Sequence, residues 1–530
     1  SSRAFEILNN GVSSCFFLLA FYYPTALSNP KPEFIGDFLS ICHIELGLLH
    51  MCSAVDGAFL KYLQYKLTAL NFDISANDVF QIIHCRFGLS VSLDGFETFD
   101  HKCKPKKMTI EDTIQLSKFV STYCFKGKHP VLSPPRNDIK SIIDKIVDVV
   151  GDPDLANPTV AKNRSILDSY LRKTNISLQF VINSFQGKSD LNFEKPDVPG
   201  IEVSENGLYY IEGLIGLHFF KVRRRTMQSR AAELDYVLKM LENDILCGCN
   251  RFETWVALGQ TYSFLVEDDL IWTADKLNSV ERKQLTSLTQ KKALLCYFMA
   301  ICVHIGASEE EKARHKLVVP ILWEAFAKEL YGTWMEPMNK KAFHVYVDDD
   351  QHDSRVVSND SLSNKMANLK PQTNDIPNNA VFKLLELAFK SAVTEDETNW
   401  YDVMYLAKSQ CKLNYQNIEP KIIIENFLKS CNLAIRQSSK DDPIIEPHYY
   451  LFSVISKYYR SSKISIDEAI GYINQDPLFA AIFPSDPSQE TFKSLTLKVL
   501  SKIISYDRKN WQHRPCLLYT SDAADELDGV

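Results

Sequence analysis

Side chains able to bind a metal, move a proton or attack a substrate are the first to weigh in this chain. Cys85, His101, Cys103, Cys124 and His129 are all residue types that ligate zinc, because thiolates and imidazoles are its preferred donors. Their spacing argues against a centre: no C-x2-C pair sets two sulfurs on one turn, so they read as structural thiols and satisfied imidazoles. His43 and Glu45 form H-x-E, the acid–base half of a zinc deaminase. The matching P-C-x-x-C is missing, since Pro515–Cys516 has no second cysteine after it. "GKS" at 187–189 resembles the end of a phosphate loop, but the glycine needed five positions earlier is Ile182. Cys247 and Cys249 flank Gly248 and read as the turn that closes a helix. There is no H-E-x-x-H and no G-x-S-x-G. The expectation is a non-enzymatic chain with no catalytic residue, no metal and no cofactor.

Charge offers a second kind of chemistry. "KVRRRTMQSR" places Lys221, Arg223, Arg224, Arg225 and Arg230 within ten residues without one anion. Arginine forks suit carboxylates and phosphates, so the run reads either as a solvated helix face or as a docking site for an acidic segment or a nucleic-acid backbone. Glu267, Asp268 and Asp269 form an acidic counterpart. The whole-chain balance of −7 argues against a surface that coats nucleic acid but permits a local basic site.

The elements that must position these groups are helices. Within "NRFETWVALGQTYSFLVEDDLIW", Trp255, Leu258, Gly259 and Tyr262 match W-x2-L-G-x2-Y, the first-helix pattern of a 34-residue tetratricopeptide unit. The four share one side of a helix: the large residues are knobs, and Gly259 is a hole for a close neighbour. "ALLCYFMA" supplies the answering small–aromatic–small set, Ala293, Tyr297 and Ala300. It arrives late, with about 22 residues more than the standard unit holds between them, which predicts a protruding, partly helical arm over 267–289. In that arm Ile271 and Trp272 tuck back onto the array.

Helical periodicity dominates the rest. Leu234, Val237, Leu238, Leu241 and Ile245 form a clean buried stripe. Helices are expected over 34–52, 55–70, 75–89, 109–124, 136–150, 162–185, 207–222, 229–247, 250–266, 289–306 and 311–333. They resume over 380–395, 399–414, 420–437, 446–461 and 464–475. Trp400, Val403 and Ala407 repeat the spacing loosely, and a last helix opens on Asp486, Pro487 and Gln489. The fold class is therefore all-α, an α-solenoid of degenerate tetratricopeptide-like hairpins, with one half over 1–345 and another over 381–515.

Between them, residues 346–380 are polar, rich in Asp, Asn and Ser and nearly free of aromatics. Such a stretch buries too little apolar area to offset chain ordering and reads as a disordered linker. The 13 cysteines lie mostly inside apolar helical runs and follow no secreted framework, which favours a reducing compartment. "CFFLLAFYY" at 15–23 is short of a membrane span. The opening "SSRAFEIL" has the character of mid-helix sequence and suggests a piece of a longer protein. The final "CLLYTSDAADELDGV", 516–530, has four acids and no base; it resembles translated sequencing-adapter sequence and reads as a non-native tail.

The stretch "GLYYIEGLIGLHFFKVRRRTMQSRAAELDYVLKMLENDILCGCNRFETWVALGQTYSFLVEDDLIWTADKL" resembles the large subunit of the fungal HIR histone chaperone complex. That is the histone transcription regulator three family, whose animal relative is the calcineurin-binding protein cabin. The resemblance continues more weakly through "KKALLCYFMAIC", "EPHYYLFSVISKYY" and "ETFKSLTLKVLSKIISYDRKNWQHRP". It implies a nuclear scaffold that holds WD-repeat and ubinuclein-like subunits for replication-independent deposition of core histones. Contact with nucleic acid would be indirect, and no membrane is involved. The resemblance assigns no histone-contacting side chain. The alternative is a tetratricopeptide adaptor of another class, a co-chaperone or ubiquitin-ligase subunit. A co-chaperone groove would carry Lys and Asn at fixed inner positions, and the helix from Asn250 offers Arg251 and no such set.

Overall fold

A computed structural model describes residues 2–27, 30–70, 72–93, 95–126, 137–225, 232–272, 279–343, 345–346, 371–372, 376–412, 418–438, 443–480 and 496–503. Most of the 346–380 linker, the whole 516–530 tail and the start of the last expected helix lie outside them. Among the described residues the chain is all-α. Two antiparallel pairs of two-residue strands, Ser92–Leu93 with Phe96–Glu97 and Val345–Tyr346 with Pro371–Gln372, are the exceptions. No described helix is long and apolar enough to cross a membrane.

The chain divides into two compact units, residues 1–167 with 191–257, and residues 168–190 with 258–530. The first contains α1 (Ser2–Ala26), α2 (Pro32–Leu48), α3 (Ala58–Thr68), α4 (Phe72–Phe87), α5 (Ile110–Lys126) and α6 (Asn137–Val150). It also takes most of α7 (Pro158–Lys173), then α9 (Ile201–Glu205), α10 (Leu208–Arg225), α11 (Ala232–Leu246) and the start of α12 (Phe252–Trp272). The pair α10 and α11 packs most closely, and the sequence says why. A Cβ at Gly213 would fall 2.8 Å from Leu241 Cδ2, and one at Gly216 would fall 2.9 Å from Val237 Cγ2. Two bare turns of α10 thus receive the α11 stripe, in which Leu234, Val237, Leu241 and Ile245 are buried. Leu238 is only half-buried and Met240 takes its inner place.

The second unit is built on α13 (Val280–Gly306), buried almost all round from Ala293 to Cys302. Phe298 meets Phe180 of α8 (Leu178–Phe185) and Phe326 of α15 (Val319–Trp334) edge to face, at 5.5 and 5.1 Å. The short α14 (Glu309–His315) precedes α15. From α15 the chain continues through α16 (Asn378–Glu395), α17 (Trp400–Lys412), α18 (Pro420–Gln437), α19 (Glu446–Arg460) and α20 (Ile466–Gln475), each packed on the one before. Nearest-neighbour packing of this kind is what helical repeats do.

Two long helical stretches are each broken. The 162–185 run divides because Ser177 is extended and its hydroxyl accepts from Phe180 N, starting a new helix. The 311–333 run divides before α15, where Pro320 stands in the first turn. The expected arm over 267–289 is helical at both ends among the described residues. The extra sequence lengthens α12 to Trp272 and starts α13 at Val280, so both helices of the hairpin grow. Residues 273–278 and the side chains of Ile271 and Trp272 lie outside the described set.

Candidate functional site

The hairpin of α12 and α13 sets the site. A Cβ on Gly259 would lie 2.5 Å from Cε1 of Tyr297, so the bare backbone turn is the seat of that ring. Ser263, one turn on, lies 3.0 Å from the Tyr297 hydroxyl. Leu258, Tyr262, Ala293 and Ala300 are buried. Further out, Asp269 pairs with Arg282 and accepts from Thr286 Oγ1 at 3.0 Å. One member of the acidic cluster therefore fastens the lengthened end of the hairpin. Trp255 belongs to the first unit. There its Nε1 donates to Asn250 Oδ1 at 2.7 Å, and its ring faces Phe193.

Beside this hairpin, within the second unit, lies a cavity of about 490 Å³ lined in part by Glu267, Tyr297, Glu324, Glu329, Tyr401 and Tyr405. Lys328 pairs with Glu324 at 2.5 Å and stands 4.3 Å over the Tyr401 ring. Burial pushes the Glu329 carboxyl up to about 7. Carboxylates among tyrosine faces suit a cation: the acids supply charge, and the rings supply attraction over their faces. Lys328 shows that an ammonium group is accepted there. No motif announces this set, because its members come from four helices.

The basic run is only partly described. Lys221 is half-buried; Arg223 is exposed and pairs with Glu233 at 3.1 Å, beyond the end of the run. The side chains of Arg224 and Arg225, and all of Arg230, lie outside the described residues. At the end of α11, Gly248 adopts φ +83 and its N–H donates to Ile245 O. Asp244, buried there, accepts from Thr254 at 2.7 Å and pairs with Arg251 at 3.3 Å.

The thiols and imidazoles are not scattered as their spacing suggests. Cys85, His101 and Cys103 come together, joined by two residues no zinc spacing had singled out with them, His43 and Cys52. Cys124 is buried within α5, and His129 lies outside the described residues. Glu45, the partner of His43 in H-x-E, is exposed. Contacts with the Cys52 and Cys85 thiols draw Cys103 far below the usual thiol range, while Cys52 and Cys85 are pushed up.

Comparison with known proteins gives three consecutive matches. Residues 1–107 match the histone transcription regulator 3 helical domain, residues 126–396 the HIR3 helical bundle domain, and residues 422–523 the HIR3 TPR domain. The last match reaches into the 516–530 stretch. The chain is 35% identical to the histone transcription regulator 3 homolog of Candida albicans, over 97% of this chain and 31% of that protein. The homolog of Debaryomyces hansenii is 32% identical over 97% of the chain and 29% of its own length, and that of Kluyveromyces lactis 30% identical over 95% and 31%. The chain thus spans about a third of the length of the curated relatives it matches. With one helical domain matched across more than half of the sequence and one more on each side of it, the chain belongs to the histone transcription regulator 3 family.

Proposed function

We propose that this chain is the helical scaffold portion of a HIR-type histone chaperone subunit, acting in the nucleus in replication-independent nucleosome assembly and histone gene regulation. The observation that carries this reading is the tandem of three family domains over one chain. Its relatives are named histone transcription regulators. Hairpins that pack neighbour on neighbour present long surfaces, here assigned to WD-repeat and ubinuclein-like subunits and, directly or through them, to core histones. The role is non-enzymatic. No observation favours the co-chaperone or ubiquitin-ligase adaptor.

Two surfaces divide the labour by charge. The acidic tyrosine pocket of the second unit is assigned to a lysine- or arginine-rich segment. The run Lys221, Arg223, Arg224, Arg225 and Arg230 is assigned to an acidic segment. Affinity purification of the full-length protein tests the whole reading: WD-repeat subunits and histones should co-purify, and heat-shock chaperones in their place would overturn it. Reversing Arg223, Arg224 and Arg225 to Glu should weaken recovery of one partner, more at low salt, where exposed charges are less screened. Recovery that is indifferent to the change at every ionic strength would leave the run a solvated face.

A further inference from the structure

Four segments of the first unit bring soft donors to one point. α2 supplies His43, the turn after it Cys52, the last turn of α4 Cys85, and the irregular chain between α4 and α5 supplies His101. One ligand atom from each lies within 4.8 Å of the other three, and His43, Cys52 and Cys85 are buried. The Sγ atoms of Cys52 and Cys85 each stand 3.3 Å from Nδ1 of the same His101 ring. That nitrogen has one lone pair or one proton, so a hydrogen bond satisfies one thiol fully and not both. Nε2 of His43 is buried without a hydrogen-bond partner, an arrangement native proteins seldom leave unanswered.

A tetrahedral metal ion answers all four atoms. With zinc–sulfur bonds of about 2.3 Å and zinc–nitrogen bonds of about 2.0 Å, adjacent sulfur and nitrogen ligands stand about 3.5 Å apart. The 3.3 Å separations here are close to that edge. The surroundings are also shaped for the imidazole. A Cβ on Gly47 would lie 2.2 Å from Cε1 of His101, so only glycine at that turn of α2 admits the ring. Gln81 exchanges two hydrogen bonds of 2.8 Å with the backbone of Phe99, two residues before His101. Around the donors the backbone is strained: His50, Val55, Asp56 and Lys102 have φ of 56, 53, 52 and 54. A β-branched residue such as Val55 is rarely found there, and such strain persists only where the surroundings over-determine it.

We propose that His43 Nε2, Cys52 Sγ, Cys85 Sγ and His101 Nδ1 hold a structural zinc ion that staples the segment between α4 and α5 to α2. All four positions are filled by protein, which makes the site closed and non-catalytic. Binding releases the thiol protons of Cys52 and Cys85 to solvent as the two sulfurs become thiolate ligands. Cys103 stays outside the coordination sphere. It lies against both ligand sulfurs and 3.9 Å from the His101 carbonyl oxygen, whereas His43 Nε2 has no other partner.

The test is metal content and ligand environment in the full-length protein, purified under reducing conditions with zinc chloride supplied. Elemental analysis should find zinc in the wild type and about tenfold less bound at this site in Cys52→Ser/Cys85→Ser. His43→Ala should also lose it, and Cys103→Ser should keep it. Because the double variant could fail to fold, the wild-type protein is also examined by zinc X-ray absorption, which should show two sulfurs at about 2.3 Å and two nitrogens at about 2.0 Å. Wild type that holds no more zinc than the double variant, or an oxygen-dominated shell, would overturn the site. Retention of zinc by His43→Ala with loss in Cys103→Ser would overturn the assignment of the fourth ligand.

Discussion

Glu329 is a residue whose charge the fold governs directly. It is buried on α15 at the wall of the acidic pocket, and burial lifts its carboxyl from 4.5 to about 7. The sign of its effect follows. Below pH 4.5 the group is protonated in folded and unfolded chains alike, and its stabilising effect is complete. As pH rises towards 7 only the unfolded chain ionises it freely, so stability falls by roughly 3 kcal/mol once both values are passed. Glu329→Gln should therefore flatten the decline in melting temperature between pH 5 and pH 8 and should melt above wild type at pH 8. Parallel declines for the two proteins would remove Glu329 as the cause. A lysine or arginine entering the pocket would favour the ionised form, so the basic segment assigned to it should bind more tightly as pH passes 7. None of this was legible in the sequence. A glutamate within an apolar helix carries no motif, and the groups around it, Ser263 and Gln290 among them, come from other helices. The histidine and cysteine group was half-legible for the same reason. His101 and Cys103 are neighbours in sequence, but Cys52 and His43 reach them only when α2 and α4 pack.

At the scale of elements, the α12–α13 hairpin is where motif and geometry meet most closely. Gly259 stands under Tyr297, whose ring would lie 2.5 Å from an added Cβ. Tyr297 is held from its other faces by Ser263 and, edge to face, by Phe326. The ring has little room to withdraw. Gly259→Arg should cost on the order of 1–3 kcal/mol or more through overpacking, read as a lowered thermal midpoint, and an unchanged melting curve would show that the ring can yield. Helix type was written in the 3.6-residue periodicity, as in the Leu234–Ile245 stripe, because one buried face suffices to specify it. Helix ends were written less clearly. The break at Ser177 depends on one hydroxyl, and the breadth of α13 hides its register because that helix is buried nearly all round. The late arrival of Ala293 pointed to inserted, partly helical chain, but not to the tie that fastens it. Asp269, Arg282 and Thr286 tie the two lengthened helices together, and a tie between helices leaves no periodic trace in either.

At the scale of the whole molecule, the polar stretch that composition alone singles out falls inside a family domain. The helical bundle match runs to 396 and the TPR match starts at 422, so the 346–380 segment lies near the end of the bundle domain rather than between the two. Its boundaries as a linker remain a proposal drawn from composition: aspartate, asparagine and serine in place of aromatic and branched residues, and so little apolar area to bury. Backbone without tertiary contacts is open to proteases, while helices such as α13 must unfold before they can be cut. Limited proteolysis of the purified protein at low protease ratio should therefore cut first within 346–380. It should leave one fragment ending near 345 and another beginning near 381, identified by mass and by N-terminal sequencing. First cuts within 205–300 while 346–380 stays intact would mean that the polar stretch is held by the fold, and that the bundle domain continues through it as one folded body.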